Sequence, residues 1–116
     1  MGALRLAFIG DAVQTLYVRE KIATENKGKV PVLHSLVSKR VNAAAQSLAY
    51  DKIFPNLTPE EQDIIRRGKN ARVGHIPKNQ TIEDYHKATA LESFLGYLYL
   101  SRQDERLAEI LGMTGD

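Results

Sequence analysis

The sequence predicts an all-α fold, a bundle of about five helices. Apolar residues recur three and four positions apart through most of the chain, which is the period of a helix with one buried face. Alternation with a period of two, typical of a half-buried strand, does not persist beyond a few residues. A length of 116 residues and a charged fraction of 26% fit one globular domain spanning residues 1–116.

The first two helices are predicted from apolar spacing. One apolar stripe runs from Leu4 to Ile22 and marks the first helix. The second helix is predicted to begin at Val30 and Pro31, because proline is favoured in a first turn. Its apolar stripe continues to Leu48, so the same helix is expected to extend that far.

Two later helices carry start signals. Thr58 is a predicted N-cap, since Pro59 and two glutamates follow it, and this helix is expected to stop near Gly68. Thr81 is a second predicted N-cap, and the helix after it is expected to run to about Ser101.

The remaining segments are a loop and a short helix. Residues 69–80 contain Gly74, Pro77 and two asparagines, which favour a loop. A last helix is predicted over about 103–111, ending at Gly112.

Basic charge is concentrated in one segment of an otherwise balanced chain. The chain has 16 basic and 14 acidic residues, for a net charge of +2. Residues 66–80 contain no acid and five basic side chains, namely Arg66, Arg67, Lys69, Arg72 and Lys78. A concentrated basic loop suits a polyanion such as nucleic acid. The alternative is a solvated loop that is basic by chance.

Composition excludes several function classes. The absence of cysteine excludes disulfides, thiol nucleophiles and cysteine zinc sites. No apolar run reaches the roughly 18 residues that a membrane span needs, so no membrane partner is expected. The first residues do not resemble a signal peptide, and the expected location is therefore cytoplasmic.

Two acids interrupt apolar helix faces. Asp11 and Glu92 are each surrounded by apolar or small residues, so burial of both carboxylates is expected. Glycine weakens a helix by roughly 1 kcal/mol, so Gly10 and Gly96 need a packing reason. Close approach of two helix backbones supplies that reason, and it would bring the two acids together.

Facing carboxylates need a cation or a proton between them. In a chain without cysteine, hard oxygen ligands suit Mg²⁺, with Mn²⁺ as a substitute. Asp11 and Glu92 are therefore the candidate metal ligands and catalytic residues. The alternative is that each acid pairs with an arginine or caps a neighbouring helix.

Four blocks of sequence resemble the ribonuclease III family, specifically its short form without a double-stranded-RNA-binding domain. They follow in the family's order and cover almost the whole chain: 8–13 (Phe-Ile-Gly-Asp-Ala-Val), 38–46 (Ser-Lys-Arg-Val-Asn-Ala-Ala-Ala-Gln), 66–71 (Arg-Arg-Gly-Lys-Asn-Ala) and 90–100 (Ala-Leu-Glu-Ser-Phe-Leu-Gly-Tyr-Leu-Tyr-Leu).

The resemblance implies a ribonuclease III-like helical bundle that forms a homodimer and cleaves double-stranded RNA with Mg²⁺, leaving 5′-phosphate and 3′-hydroxyl ends. It also implies maturation of the ends of large-subunit (23S) ribosomal RNA precursors. Asp11 and Glu92 match the family's aspartate and glutamate. Ala7, Leu4 and Thr89 stand where longer family members have further acids, which leaves one or two metal ions possible.

RNA contacts are expected mainly from the basic loop, because the catalytic domain must hold the duplex itself. A-form RNA is recognised largely through phosphates and 2′-hydroxyl groups. The predicted RNA-binding residues are Arg67, Lys69, Asn70, Arg72, Lys78, Asn79 and Arg40. Two alternatives stay open: a catalytically inactive domain that binds structured RNA as a scaffold, and a helical interaction module without a nucleic-acid role.

Overall fold

Six α-helices follow one another in the computed structural model, which describes residues 1–71 and 74–115. They are α1 (Ala3–Glu25), α2 (Val30–Val41), α3 (Ala43–Ile53), α4 (Pro59–Lys69), α5 (Ile82–Leu100) and α6 (Asp104–Thr114), with a single 3₁₀ turn at Phe54–Asn56. The all-α prediction is confirmed. None of the helices in these two ranges is both long and apolar enough to cross a membrane.

Helix α5 lies at the centre of the bundle. Four of its large apolar side chains are fully buried: Leu91, Phe94, Leu95 and Leu98. Helices α1, α3, α4 and α6 pack around it, and a second small apolar cluster of Val18, Ile22 and Val37 joins α2 to α1. Because α5 is surrounded, a polar residue on this helix is partly shielded from water.

The prediction of one helix continuing from Val30 to Leu48 is wrong, because the helix breaks at Asn42. The backbone of Asn42 is extended, and its side-chain Oδ1 accepts a hydrogen bond from the Ala45 N–H at 2.8 Å. An asparagine that caps the next helix competes with continuation of the previous one. The apolar stripe spans both helices and conceals the break.

The two predicted N-caps are confirmed. Thr58 Oγ1 accepts from the Glu61 N–H at 3.1 Å, and the Glu61 carboxylate accepts from the Thr58 N–H at 2.9 Å. Thr81 Oγ1 accepts from the Asp84 N–H at 3.0 Å. These bonds satisfy N–H groups that a helix start otherwise leaves free.

The predicted end of the last helix is too early. Helix α6 passes through Gly112 and continues to Thr114. A glycine ends a helix when it adopts a positive φ, and Gly112 does not. Between α4 and α5, the described residues of the predicted loop contain neither helix nor strand.

Candidate active site

Two glycines bring α1 and α5 into backbone contact. A Cβ atom on Gly10 would overlap the backbone carbonyl of Glu92, and one on Gly96 would overlap that of Leu6. The pairing of 10 with 92 and of 6 with 96 makes the two helices antiparallel. The close approach predicted from Gly10 and Gly96 is therefore present.

This contact places the carboxyl groups of Asp11 and Glu92 beside each other. Burial and the neighbouring Asp11 carboxyl together raise the pKa of Glu92 to about 8, although a hydrogen bond from Gln46 lowers it. A carboxylic acid with such a pKa holds a proton at neutral pH unless a cation replaces it. The structure therefore brings the two predicted catalytic residues together.

The expectation that both acids are buried is wrong for Asp11. Glu92 is half-buried, whereas Asp11 is exposed. The pair thus has one shielded carboxyl and one open to solvent, an arrangement that a ligand can enter from the side of Asp11.

Two buried glutamines complete the surroundings of Glu92. The Nε2 of Gln46 on α3 donates to Glu92 Oε2 at 3.2 Å and to Gln14 Oε1 on α1 at 2.7 Å. Sequence reasoning missed both residues as part of the site. The available signal was a polar side chain in a helical position that packing buries: Gln14 three residues after Asp11, and Gln46 after three alanines.

The donor set fits a single hard divalent cation. Over residues 1–71 and 74–115, no group of three or more His, Asp or Glu side chains is arranged to hold a metal. Asp11 and Glu92 offer two carboxylates, and Mg²⁺ typically binds one or two carboxylates and keeps several waters. A cation between the two acids would also remove the repulsion that contributes to the raised pKa of Glu92.

The basic end of α4 is held against α5 by another glycine. A Cβ on Gly68 would overlap Ser93 Oγ. Beyond it, Lys69 is half-buried, with its Nζ 3.3 Å from Glu83 and 5.8 Å from the centre of the Tyr50 ring. A cleft of about 490 Å³ is lined by Tyr50, Asp51, Phe54, Pro55, Arg66, Lys69, Asn70, Glu83 and Lys87.

The predicted RNA-binding residues form more than one surface. Lys69 and Asn70 line the cleft beside Tyr50. Arg40 lies in a separate groove of about 280 Å³, together with Lys39 and Lys52. Three more predicted residues are exposed, namely Arg67, Lys78 and Asn79, and Arg72 lies outside the described residues.

The three histidines differ in their exposure to solvent. His34 and His75 are exposed. His86 is half-buried, and its Nδ1 is buried without a hydrogen-bond partner in the described ranges. His86 lies in the first turns of α5, where the central helix is already partly covered.

The protein is an all-α bundle in which helices α1 and α5 carry the paired carboxylates of Asp11 and Glu92. The Ribonuclease III domain family matches residues 4–103. The chain therefore belongs to the ribonuclease III family. Enzymes of this family are endoribonucleases that typically depend on a metal ion.

Similar proteins point to one branch of that family. The chain is 43% identical over 114 residues to Mini-ribonuclease 3 from Thermoanaerobacter sp., covering 98% of this chain and 80% of the relative. It is 37% identical over 113 residues to Mini-ribonuclease 3 from Staphylococcus aureus, covering 96% and 84%. A crystal structure of a Fusobacterium nucleatum protein, 36% identical, superposes with a TM-score of 0.89 over 97% of this chain and 89% of that chain.

Proposed function

We propose that this protein is a Mg²⁺-dependent endoribonuclease that cleaves double-stranded RNA. The observation that carries the proposal is the approach of the Asp11 and Glu92 carboxyls at the glycine contact of α1 and α5. The family and the relatives support the reaction class. Asp11 and Glu92 are the proposed metal ligands and catalytic residues, and Mn²⁺ is the expected substitute.

The proposed reaction is hydrolysis of an RNA phosphodiester to 5′-phosphate and 3′-hydroxyl ends. When bound, the ion supplies positive charge to the transferring phosphoryl group and acidifies water. Asp11 and Glu92 hold that charge in place, and the exposure of Asp11 leaves an open side for a phosphate. No histidine is assigned as the general base in this proposal.

RNA binding is proposed for Arg67, Lys69, Asn70, Arg72, Lys78, Asn79 and Arg40. The support is the positive charge of the arginines and lysines, the hydrogen-bonding amides of the two asparagines and, for the described residues among them, access to solvent or to a cleft. Lys69 already pairs with Glu83, so a phosphate at Lys69 must compete with that carboxylate. Arg67 and Lys78 have no acidic partner within 4.0 Å in the described ranges, and we expect stronger phosphate contacts from them.

We also propose that the chain, as one domain, forms a homodimer through α1. Large apolar side chains are exposed along this helix, namely Leu4, Phe8 and Leu16. A patch of this kind on a helix whose opposite face is already packed is typical of an interaction surface. A second copy of the chain is the partner that the family resemblance implies.

The proposed natural substrate is a precursor of large-subunit (23S) ribosomal RNA in the cytoplasm. This finer assignment rests on the resemblance to Mini-ribonuclease 3. The alternative, an inactive domain that binds structured RNA, keeps one supporting observation: the described residues offer two acids at the site and not three.

Cleavage of a fully paired RNA duplex tests the proposal. Wild-type protein is expected to cut the duplex with Mg²⁺, to lose activity with chelator, and to leave single strands intact. Glu92→Gln is expected to bind the duplex without cutting it, while Glu109→Gln on exposed α6 surface serves as the matched control. Duplex binding without cleavage by the wild type would favour the scaffold alternative, and no binding would favour the interaction module.

A further inference from the structure

We propose that Gln46 is a positioning residue that fixes the Glu92 carboxylate in the orientation that a divalent cation requires. This inference rests on the proposed function, because it assumes that Glu92 is a metal ligand. Gln46 lies on α3, whereas Asp11 and Glu92 lie on α1 and α5.

The geometry joins three helices through one amide nitrogen. Gln46 Nε2 lies 2.7 Å from Gln14 Oε1 on α1 and 3.2 Å from Glu92 Oε2 on α5. Gln14 is 2% exposed and Gln46 is 4% exposed, so water cannot readily replace either bond. Apart from Gln46, no side chain in the described ranges donates a hydrogen bond to Glu92.

The chemistry of an amide makes this contact directional. The NH₂ group of a glutamine has two protons and no acceptor capacity, and here each proton faces one oxygen. Glu92 Oε2 must therefore act as the acceptor, so the contact determines which carboxyl oxygen faces Gln46.

Gln14 helps to orient the Gln46 amide. It lies three residues after Asp11 and therefore on the same side of α1. Its Oε1 accepts a hydrogen bond from one N–H of the Gln46 amide, which leaves the other N–H directed towards Glu92. We expect loss of Gln14 to loosen this orientation and loss of Gln46 to remove it.

A purely structural role for Gln46 predicts a different outcome. If the amide only joined α1 to α3, its removal would lower the stability of the fold and leave the affinity for a cation unchanged. Hydrogen bonds to metal-ligating carboxylates typically change metal affinity by about 10–100-fold when they are removed. Cation affinity therefore separates positioning from simple packing.

The test is Mn²⁺ binding to the full chain, measured by electron paramagnetic resonance at a temperature where each variant is folded. Gln46→Leu is expected to weaken binding by about tenfold or more, and Gln14→Leu by less. Gln62→Leu is the matched control, because its amide binds the Phe54 carbonyl and does not contact Glu92. Gln46→Met, which also lacks the donor, is measured beside Gln46→Leu, so that the test stands if the latter does not fold.

Cleavage gives a second readout. The activity of Gln46→Leu is expected to fall at limiting Mg²⁺ and to return as Mg²⁺ is raised, since a defect in cation affinity is reversible by mass action. Wild-type Mn²⁺ affinity in both Gln46 variants would overturn the inference, as would a cleavage defect that excess Mg²⁺ does not restore. Wild-type Mn²⁺ affinity in Glu92→Gln would instead overturn the proposed function.

Discussion

Two half-buried glutamates of this protein have opposite surroundings. Glu61 accepts two hydrogen bonds from Arg106, at 2.8 and 2.9 Å, and caps the start of α4, and the Arg106 guanidinium lowers its pKa. Glu92 faces Asp11, and burial raises its pKa to about 8. The negative charge of Glu61 is neutralised by Arg106. The charge of Glu92 has no such partner in the described chain and needs a proton or a cation.

The difference between Glu61 and Glu92 separates a stabilising carboxylate from a ligand-binding one. A carboxylate paired with arginine stabilises the fold and needs no ligand. Two adjacent carboxylates repel each other when both are ionised, and a cation bound between them removes that repulsion. Removing Glu61 should therefore damage stability while sparing the chemistry, and removing Glu92 should do the reverse.

Glu92→Gln should have the largest effect on activity. Charge supplied by a bound ion is worth several kcal/mol in phosphoryl transfer, so we expect duplex cleavage to fall by about a thousandfold or more. Single-turnover cleavage measures this. Glu61→Gln should cleave within about threefold of wild type at a temperature where it is folded. A similar loss in both variants would contradict the contrast.

Gly10→Ala should have the largest effect on stability. The added methyl would overlap the backbone of α5, and we expect a loss of about 3 kcal/mol or more in the free energy of unfolding. Gly112→Ala is the control, because a Cβ there would meet no atom within 4 Å from the described residues outside its own helical turn, and this variant should gain about 0.5–1 kcal/mol. Urea titration distinguishes them, and equal stability would contradict the close helix contact.

Arg106→Met should destabilise the fold by about 1–3 kcal/mol, because it leaves Glu61 without its partner. Exposure of both side chains to water keeps the effect below that of a fully buried pair. The loss should disappear as pH falls below 4.5, since the low pKa of Glu61 contributes stability only while the carboxylate is ionised. A loss that persists in acid would assign the effect to packing of the arginine.

The pH dependence of Glu92 should have the opposite sign. Its raised pKa contributes stability at low pH that is lost as pH rises from about 4.5 to about 8 in metal-free protein. The difference in unfolding free energy between Glu92→Gln and wild type should therefore grow in favour of the variant across this range. Thermal unfolding in chelator at several pH values measures it, and a difference that does not change with pH would refute the assignment.

Arg67→Ala and Lys78→Ala should have the smallest effects. Each should weaken duplex binding and reduce the slope of log affinity against log salt by about 0.7–0.9, the expected contribution of one phosphate contact. Arg102→Ala, beyond the opposite end of α5, is the control. Binding titrations at several salt concentrations give the slopes, and unchanged slopes in both variants would remove these residues from the RNA surface.

Short-range features could be predicted from the sequence. Thr58 and Thr81 begin helices through bonds to residues three positions on, so their capping depends on local sequence alone. Gly10 and Gly96 are unfavourable inside helices, and each lies close in sequence to one of the two acids. Their occurrence there predicts the contact of α1 with α5.

Other features depend on tertiary structure. Asn42 interrupts an apolar stripe that continues on both sides, so periodicity alone conceals the break. The bonds of Gln46 join residues 32 and 46 positions away, and no local pattern specifies such partners. The exposure of Asp11 likewise depends on which face of α1 the bundle covers.

The response of unfolding to Mg²⁺ tests the central claim most directly. A cation that binds only the folded protein raises the melting temperature, and the increase grows with its concentration and its affinity. At neutral pH, Mg²⁺ should raise the melting temperature of wild type and Glu61→Gln equally, and should leave that of Glu92→Gln unchanged. An equal increase in all three proteins would contradict the assignment of the Asp11 and Glu92 pair as the cation site.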